Sequence, residues 1–176
     1  MEQLVRRIGF SRFLRLLRAW PPYLGAGVRV VEAAPDASRV TVELPLTALN
    51  RNFVGTHFGG SLYSMCDPFF MLMLIERLGP EFVVWDRAAN IEFLRPGRGT
   101  VRATFELPAE RVEAIRRDAL ARGKVLPEFE VAVVGRDGDL VARVRKTLHV
   151  RPKAPAAVAA IGAASGTDGP AARRSS

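Results

Sequence analysis

The sequence predicts an α+β fold in which an antiparallel sheet of five to six strands curls around one long buried helix, with an extra helix at the N-terminus. Two observations support this prediction. Residues 60–78 are too apolar for a surface helix, so a helix here is buried on nearly every side. Much of the remaining chain alternates apolar and polar residues, which is typical of strands with one buried face. A sheet wrapped around the helix satisfies both patterns.

The elements follow one another with clear boundaries. Apolar residues at helical spacing predict the first helix, which Pro21 and Pro22 end. Gly79 and Pro80 stop the buried helix. The hairpin sequence GRDGD joins the last two strands. In chain order, the predicted elements are a helix at 2–20, strands at 28–34 and 39–44, the buried helix at 60–78, strands at 82–94 and 100–107, a short helix at 108–123, and strands at 128–134 and 140–150.

The chain is predicted to form one folded domain with two short appendages. Its 176 residues are a normal length for a single domain. We assign residues 1–22 to the N-terminal amphipathic helix and 23–151 to the folded domain. Residues 152–176 are rich in Ala, Gly, Pro and Ser without periodicity, and we expect them to be disordered.

The composition excludes several classes of protein. One Cys rules out an internal disulfide and fits a reducing compartment. With only two His and one Cys, no metal site is expected. No apolar run reaches the roughly 20 residues that a membrane-spanning helix needs, and the N-terminus lacks the layout of a signal peptide. We therefore expect a cytoplasmic protein without a metal or bound cofactor.

The net charge of +8 lies mostly at the two ends of the chain. Residues 1–20 hold five Arg and one Glu, and residues 151–176 hold four basic residues and one Asp, so the middle nets 8 − 4 − 3 = +1. A nucleic-acid-binding domain would carry its basic stripe on the folded surface, so no nucleic-acid partner is expected. The N-terminal helix is interpreted as packing over the domain, with contact to an anionic membrane as the alternative.

Two motifs resemble those of the hotdog-fold thioesterase superfamily. In the phenylacetyl-CoA thioesterase type, one motif runs Asn, two residues, Gly, two residues, His-Gly-Gly, and then Asp after six more. The matching positions here are Asn52, Gly55, Gly59, Gly60 and Asp67. The second motif, an apolar strand followed by Arg-Pro and a basic turn, is IEFLRPGRG at 91–99. The similarity covers about 23–150, and the Phe-Gly-Gly and Asp-Pro variants resemble a subgroup known as a domain of unknown function.

The resemblance implies an acyl-CoA thioesterase, with coenzyme A as part of the substrate. Thioester hydrolysis needs donors that polarise the carbonyl and a carboxylate that attacks it or activates water. Backbone N–H groups of Gly59 and Gly60 at a helix start are the predicted donors, and Asp67 the base or nucleophile. Asn52 either orients the reacting groups or stabilises a turn. The predicted substrate-binding residues are His57, Phe58, Ser61, Ser64, Arg95 and Arg98. Of these, the two arginines are predicted to bind the phosphates of coenzyme A.

If both groups act on one thioester, the hypothesis requires a dimer. Gly59 and Asp67 are eight positions apart, which is about 12 Å along a helix. Both groups must lie within about 3.5 Å of one reacting centre. Two helices related by a two-fold axis can meet this requirement, whereas one helix cannot. The resemblance implies the same, a homodimer or a dimer of dimers.

Two alternatives remain open. Phe58 occupies the motif His position, which favours a non-catalytic hotdog protein that binds acyl-CoA or a fatty acyl ligand. In addition, Asp67 followed by Pro68 is a signature of a helix N-cap, so the buried helix would begin there. If the helix begins near Gly60 instead, Pro68 predicts a kink close to Asp67.

Overall fold

The computed structural model describes residues 7–153. The N-terminal residues 1–6 and almost all of the predicted disordered tail, 154–176, lie outside the described residues. Within them, no helix is both long and apolar enough to cross a membrane.

Three short helical segments precede the first strand, where one helix was predicted. They are α1 (Phe10–Leu16), a 3-10 turn (Leu17–Ala19) and α2 (Pro21–Ala26). Gly9, at φ 82°, precedes α1 and interrupts the predicted helix. The preceding helical stretch ends at Ala19, and Trp20 is extended before Pro21, as predicted. Pro21 also begins α2, because a proline at the first helical position gives up an N–H that has no intrahelical partner. The predicted single helix over 2–20 is therefore wrong in its described part.

Six antiparallel strands form one sheet in the order β1-β2-β4-β5-β6-β3. Their bounds agree closely with the predicted strands: β1 Arg29–Ala33, β2 Arg39–Pro45, β3 Phe82–Phe93, β4 Thr100–Glu106, β5 Glu128–Val134 and β6 Leu140–Pro152. Within the described residues, β3 pairs along one side only, with β6, and forms an edge of the sheet.

The predicted long helix is two helices, α3 (Gly59–Ser64) and α4 (Phe69–Leu78). Pro68 has no N–H to bond the Ser64 carbonyl, so the Asp67 N–H takes that carbonyl at 3.3 Å in a tighter turn. The predicted kink near Asp67 is thus a complete break. Asp67 is not an N-cap, because α4 has Pro68 in that position and no side-chain cap.

The core lies between α4 and the concave face of the sheet. The rings of Phe69 and Phe105 pack together in a tilted arrangement with centroids 5.0 Å apart. The ring of Phe70 stacks on that of Phe129 with centroids 4.6 Å apart. A further helix, α5 (Ala109–Arg122), connects β4 to β5 and buries Val112, Ile115 and Ala119. The prediction of an α+β fold with a sheet wrapped around a buried helix is confirmed, with the helix in two parts.

Candidate active site

The first half of the candidate site is the start of α3. Phe58 is the N-cap residue in an extended conformation, and no side chain caps the helix. The N–H groups of Ser61 and Leu62 return to the Phe58 carbonyl at 3.0 and 3.2 Å. The first two N–H groups of a helix have no intrahelical acceptor. Those of Gly59 and Gly60 are therefore free to donate to a ligand.

Aromatic rings close around these two glycines. A Cβ at Gly60 would lie 2.5 Å from the ring of Phe58, and one at Gly59 would lie 3.0 Å from the ring of Phe93. A side chain at either position would therefore have to displace one of these exposed rings. Phe58, at the position of the motif His, packs its half-exposed ring beside Gly60. It offers a ring face there and no hydrogen-bonding group.

The loop before α3 is held by the side chain of Asn52. Its Nδ2 donates to Thr56 Oγ1 at 2.9 Å and to the His57 carbonyl at 3.1 Å. Its Oδ1 accepts from the N–H groups of Val54 and Thr56 at 3.1 and 3.0 Å. An amide has two N–H donors and two acceptor lone pairs, so all are used. The structure thus shows Asn52 stabilising this loop, and its predicted catalytic role stays a prediction.

His57 is a buried link between this loop and the turn after β3. Its Nε2 lies 2.9 Å from the Gly99 carbonyl, and its backbone N–H donates to the Gly97 carbonyl at 3.1 Å. Burial lowers the pKa of the His57 ring, while the contact with Gly99 partly offsets this. The ring is therefore neutral near pH 7, and its Nδ1 is buried without a partner among the described residues.

A cleft of about 620 Å³ opens in front of Gly59. Arg95 and Arg98 line it together with His57 and Phe93, so the glycine end and the basic turn face one space. Arg95 also pairs with Asp139 at the surface. Ser61 is buried and Ser64 is half-buried, and neither is among the residues around this cleft. The assignment of the two serines as substrate-binding residues therefore gains no support from this cleft and stays a prediction.

The second half of the candidate site is the carboxylate of Asp67, at the break between α3 and α4. Its Oδ1 accepts from the Tyr63 hydroxyl at 2.9 Å and from Lys146 Nζ at 3.1 Å. Its side chain is 48% exposed. Within residues 7–153 no group donates to Oδ2, so one carboxylate oxygen is fixed and the other faces solvent.

Lys146 and Asp86 complete this half, and sequence reasoning did not identify them. The Lys146 side chain is 0% exposed, and its Nζ also donates to the Asp67 carbonyl and pairs with Asp86 Oδ2 at 2.9 Å. Asp86 lies on the edge strand β3. Burial raises the pKa of its carboxyl, and the Lys146 ammonium opposes that shift. A single buried cation thus compensates two carboxylates and satisfies the carbonyl that the helix break leaves without a helical partner.

Neighbouring groups are poor nucleophiles. Burial raises the pKa of the Cys66 thiol to about 12, so it stays protonated and unreactive at neutral pH. Burial and the bond to Asp67 also raise the pKa of Tyr63. Within the described residues, no three His, Cys, Asp or Glu side chains converge as metal ligands would.

The two halves are separate within one chain. Gly59 lines the cleft, whereas Asp67, eight residues later, does not. A reaction that uses both the N–H groups at the start of α3 and the Asp67 carboxylate therefore needs a second copy of the chain.

The chain is similar to one protein family and to several solved structures. A family model described as a domain of unknown function (DUF4442) matches residues 9–150. No curated protein sequence is significantly similar to the chain.

Several solved structures share the fold. A Pseudomonas aeruginosa protein of unknown function, described as a probable thioesterase, has a TM-score of 0.73 at 21% identity, covering 81% of this chain and 95% of that chain. A thioesterase of Haemophilus influenzae has a TM-score of 0.60 at 16% identity, with 81% and 91% covered. A Chlorobaculum tepidum protein of unknown function has a TM-score of 0.67 at 16% identity, with 81% and 94% covered.

Proposed function

The chain belongs to the DUF4442 family of the hotdog-fold thioesterase superfamily, and we propose that it hydrolyses acyl-CoA thioesters at a site shared by two protomers. The observation that carries this proposal is the exposure and hydrogen bonding of the Asp67 carboxylate. Its carboxylate is half-exposed, with one oxygen held by Lys146 and Tyr63 and the other without a donor among the described residues. A fixed carboxylate with one available oxygen is what a general base or nucleophile requires.

The reaction follows from these groups. Asp67 Oδ2 accepts a proton from water while the water oxygen bonds to the thioester carbon. The N–H groups of Gly59 and Gly60 on the other protomer stabilise the oxyanion that forms. The C–S bond then breaks, the carbonyl re-forms, and the proton on Asp67 passes to the leaving sulfur. The products are a carboxylic acid and free coenzyme A. Direct attack by Asp67 would form an anhydride that water then cleaves, with the same products.

Two features support a dimer that joins the halves. Strand β3 has twelve residues and is an edge of the sheet, with Ala88 and Ala89 exposed near its middle. The unpaired N–H and C=O groups along such an edge can pair with another strand. Arg87, which is exposed at the bulge before Ala88, is a charge that this contact would have to accommodate. Phe58 and Phe93 are also both 57% exposed beside the cleft. A two-fold contact along β3 would cover these rings and bring the glycine end of one protomer towards Asp67 of the other.

The cleft supports a coenzyme A carrier. Arg95 and Arg98 supply guanidinium groups at its rim, which suit the phosphates of coenzyme A. Leu62, Leu94 and Phe93 supply apolar surface beside them.

Phe58 favours one second candidate, a protein that binds acyl-CoA without cleaving it. Its ring packs beside Gly60, where the motif of the enzymes has a His. A ring there contributes no donor to the thioester carbonyl and narrows the approach to the Gly60 N–H.

A panel of aliphatic and aromatic acyl-CoAs, with free thiol release as the readout, tests the proposal. We expect turnover by the wild-type protein and a loss of at least about 100-fold in Asp67→Asn, because the amide cannot accept the proton. Asp118→Asn, an exposed carboxylate on α5, is the matched control and should retain full activity.

The result also separates the two candidates. Saturable acyl-CoA binding without turnover in both wild type and Asp67→Asn would support the binding protein and contradict the hydrolase. In that case Phe58→His, which restores the motif residue, becomes the informative variant.

A further inference from the structure

We propose that α1, α2 and the adjoining edge strand β1 form a docking face for an anionic lipid surface. This inference is independent of the proposed hydrolysis. It rests on exposed apolar side chains and a dense set of exposed arginines on the same part of the described fold.

Apolar side chains on this face are exposed to solvent. Trp20 is 48% and Leu24 is 65% exposed. The Leu24 N–H donates to the Trp20 carbonyl at 2.8 Å, so the two residues lie one helical turn apart on α2. Leu16, the last residue of α1, and Val31 on β1 are also exposed. An exposed Trp with leucines is the pattern of side chains that insert at the level of lipid headgroups.

Arginines lie among these apolar groups. A groove of about 560 Å³ is lined by Arg18 and Arg29 together with Leu24 and Val31, so basic and apolar groups share one surface. From residue 7 to residue 31 the chain contains no Asp or Glu and five exposed arginines: Arg7, Arg12, Arg15, Arg18 and Arg29. Glu32, the next residue on β1, is also exposed and pairs with Arg39 at 3.9 Å. A predominantly positive surface with exposed apolar groups matches anionic headgroups above acyl chains.

This charge distribution decides against a second copy of the chain. In a two-fold interface the same patch meets itself. Five arginines would then face five arginines, with Glu32 of β1, which pairs with Arg39, as the one acidic residue of these three elements. Like charges across an interface are strongly unfavourable.

Vesicles test the proposal on the full chain. Trp85→Phe leaves Trp20 as the only tryptophan, because the chain has two. We expect this protein to sediment with vesicles of mixed phosphatidylcholine and phosphatidylglycerol, and its fluorescence to shift to shorter wavelength. Neither change is expected with pure phosphatidylcholine. High salt should weaken the binding, since surface attraction is screened.

Variants locate the binding face. Replacing both Trp20 and Leu24 with Ala in the otherwise native chain, or Arg15, Arg18 and Arg29 together with Gln, should lower the partition coefficient at least tenfold. The matched control replaces exposed residues on α5, Leu120→Ala with Arg117→Gln, and should bind as wild type.

Three results would overturn the proposal. They are no binding to the anionic vesicles, equal binding to neutral and anionic vesicles, and equal loss in the α5 control. A change in the oligomeric state of the free protein when Trp20 and Leu24 are replaced, without vesicle binding by the wild type, would identify the face as a contact between copies. None of these readouts depends on thioester turnover.

Discussion

At the scale of single residues, Lys146 controls the carboxylate half of the site. Its ammonium is fully buried and pairs with both Asp67 and Asp86. Removing one partner of a buried ion pair leaves the other charges without compensation, which costs more than the pair itself contributes. Lys146 also satisfies the Asp67 carbonyl at the helix break. Lys146 therefore holds both the carboxylate and the backbone carbonyl of Asp67, the proposed catalytic residue.

Lys146→Met should destabilise the fold by about 3 kcal/mol, at the lower end of the range for buried pairs because Asp67 is half-exposed. Urea denaturation measures this change. The matched control is Arg145→Met, its neighbour on the outer face, whose pairs with Glu92 and Glu130 are exposed. That variant should cost less than about 1 kcal/mol. Equal losses for the two variants would contradict the role given to Lys146.

His57 should make stability depend on pH. Its pKa is lowered on folding below the ordinary 6.5, so the unfolded chain binds more protons in the window just below pH 6.5. The stability that neutral His57 contributes is therefore present above about pH 6.5 and is lost as the pH falls towards the folded-state pKa. His57→Gln should reduce the slope of unfolding free energy between about pH 5 and 7.

The wild-type minus variant difference isolates His57, because His149 and Asp86 remain in both proteins. An unchanged slope in His57→Gln would mean that the ring titrates alike in the folded and unfolded chains.

Part of the site could be predicted from sequence at this scale. The resemblance to the thioesterase motif identified Gly59, Gly60 and Asp67 as candidates, and their catalytic roles stay predictions. Lys146 was missed, although it occupies an inward-facing position of β6 between Val144 and Leu148, where a charge is a detectable anomaly. The hydrogen bonds that occupy every donor and acceptor of the Asn52 amide could not be predicted, because they depend on the folded path of its loop.

At the scale of elements, the break between α3 and α4 is the feature that aims Asp67. Pro68 removes the N–H that would continue the helix, and the chain turns through Met65–Pro68 before α4 begins. The same turn presents the Asp67 carbonyl and carboxylate to Lys146. A continuous helix would rotate the carboxylate away from this partner.

Pro68→Ala should lower kcat at least about tenfold while the fold survives, because a misdirected carboxylate loses its reacting geometry. Steady-state hydrolysis and thermal unfolding measure the two effects separately. Pro80→Ala, in the exposed turn after α4, is the control and should leave kcat unchanged. Full activity in Pro68→Ala would show that the break is not needed to aim Asp67.

The elements themselves were largely predictable. Alternation and the flanking turn residues together located the six strands, and alternation is clearest in β4, which has one buried face. The predicted helix over 2–20 was wrong because apolar periodicity continues across Gly9, and α2 was missed because Pro21 suits a helix start as well as a helix end. The predicted buried helix was correct in extent, and Pro68 correctly indicated that it would not be straight.

At the scale of the whole molecule, the proposed hydrolysis depends on two chains forming one site. Among residues 7–153, no Asp or Glu of the same chain lines the cleft in front of Gly59, and Asp67 lies outside that cleft. The unpaired edge of β3 and the exposed rings of Phe58 and Phe93 offer the surface through which a partner would bring the two together.

The most direct measurement is complementation between two inactive variants, Asp67→Asn and Gly60→Val. The Val side chain would meet the Phe58 ring at the helix start. A mixed dimer has one site with both defects and one site with neither. Co-expression should therefore restore about a quarter of wild-type acyl-CoA hydrolysis, since about half of the dimers are mixed and each has one intact site of two. Mixed dimers that form but stay inactive would contradict a site shared between protomers.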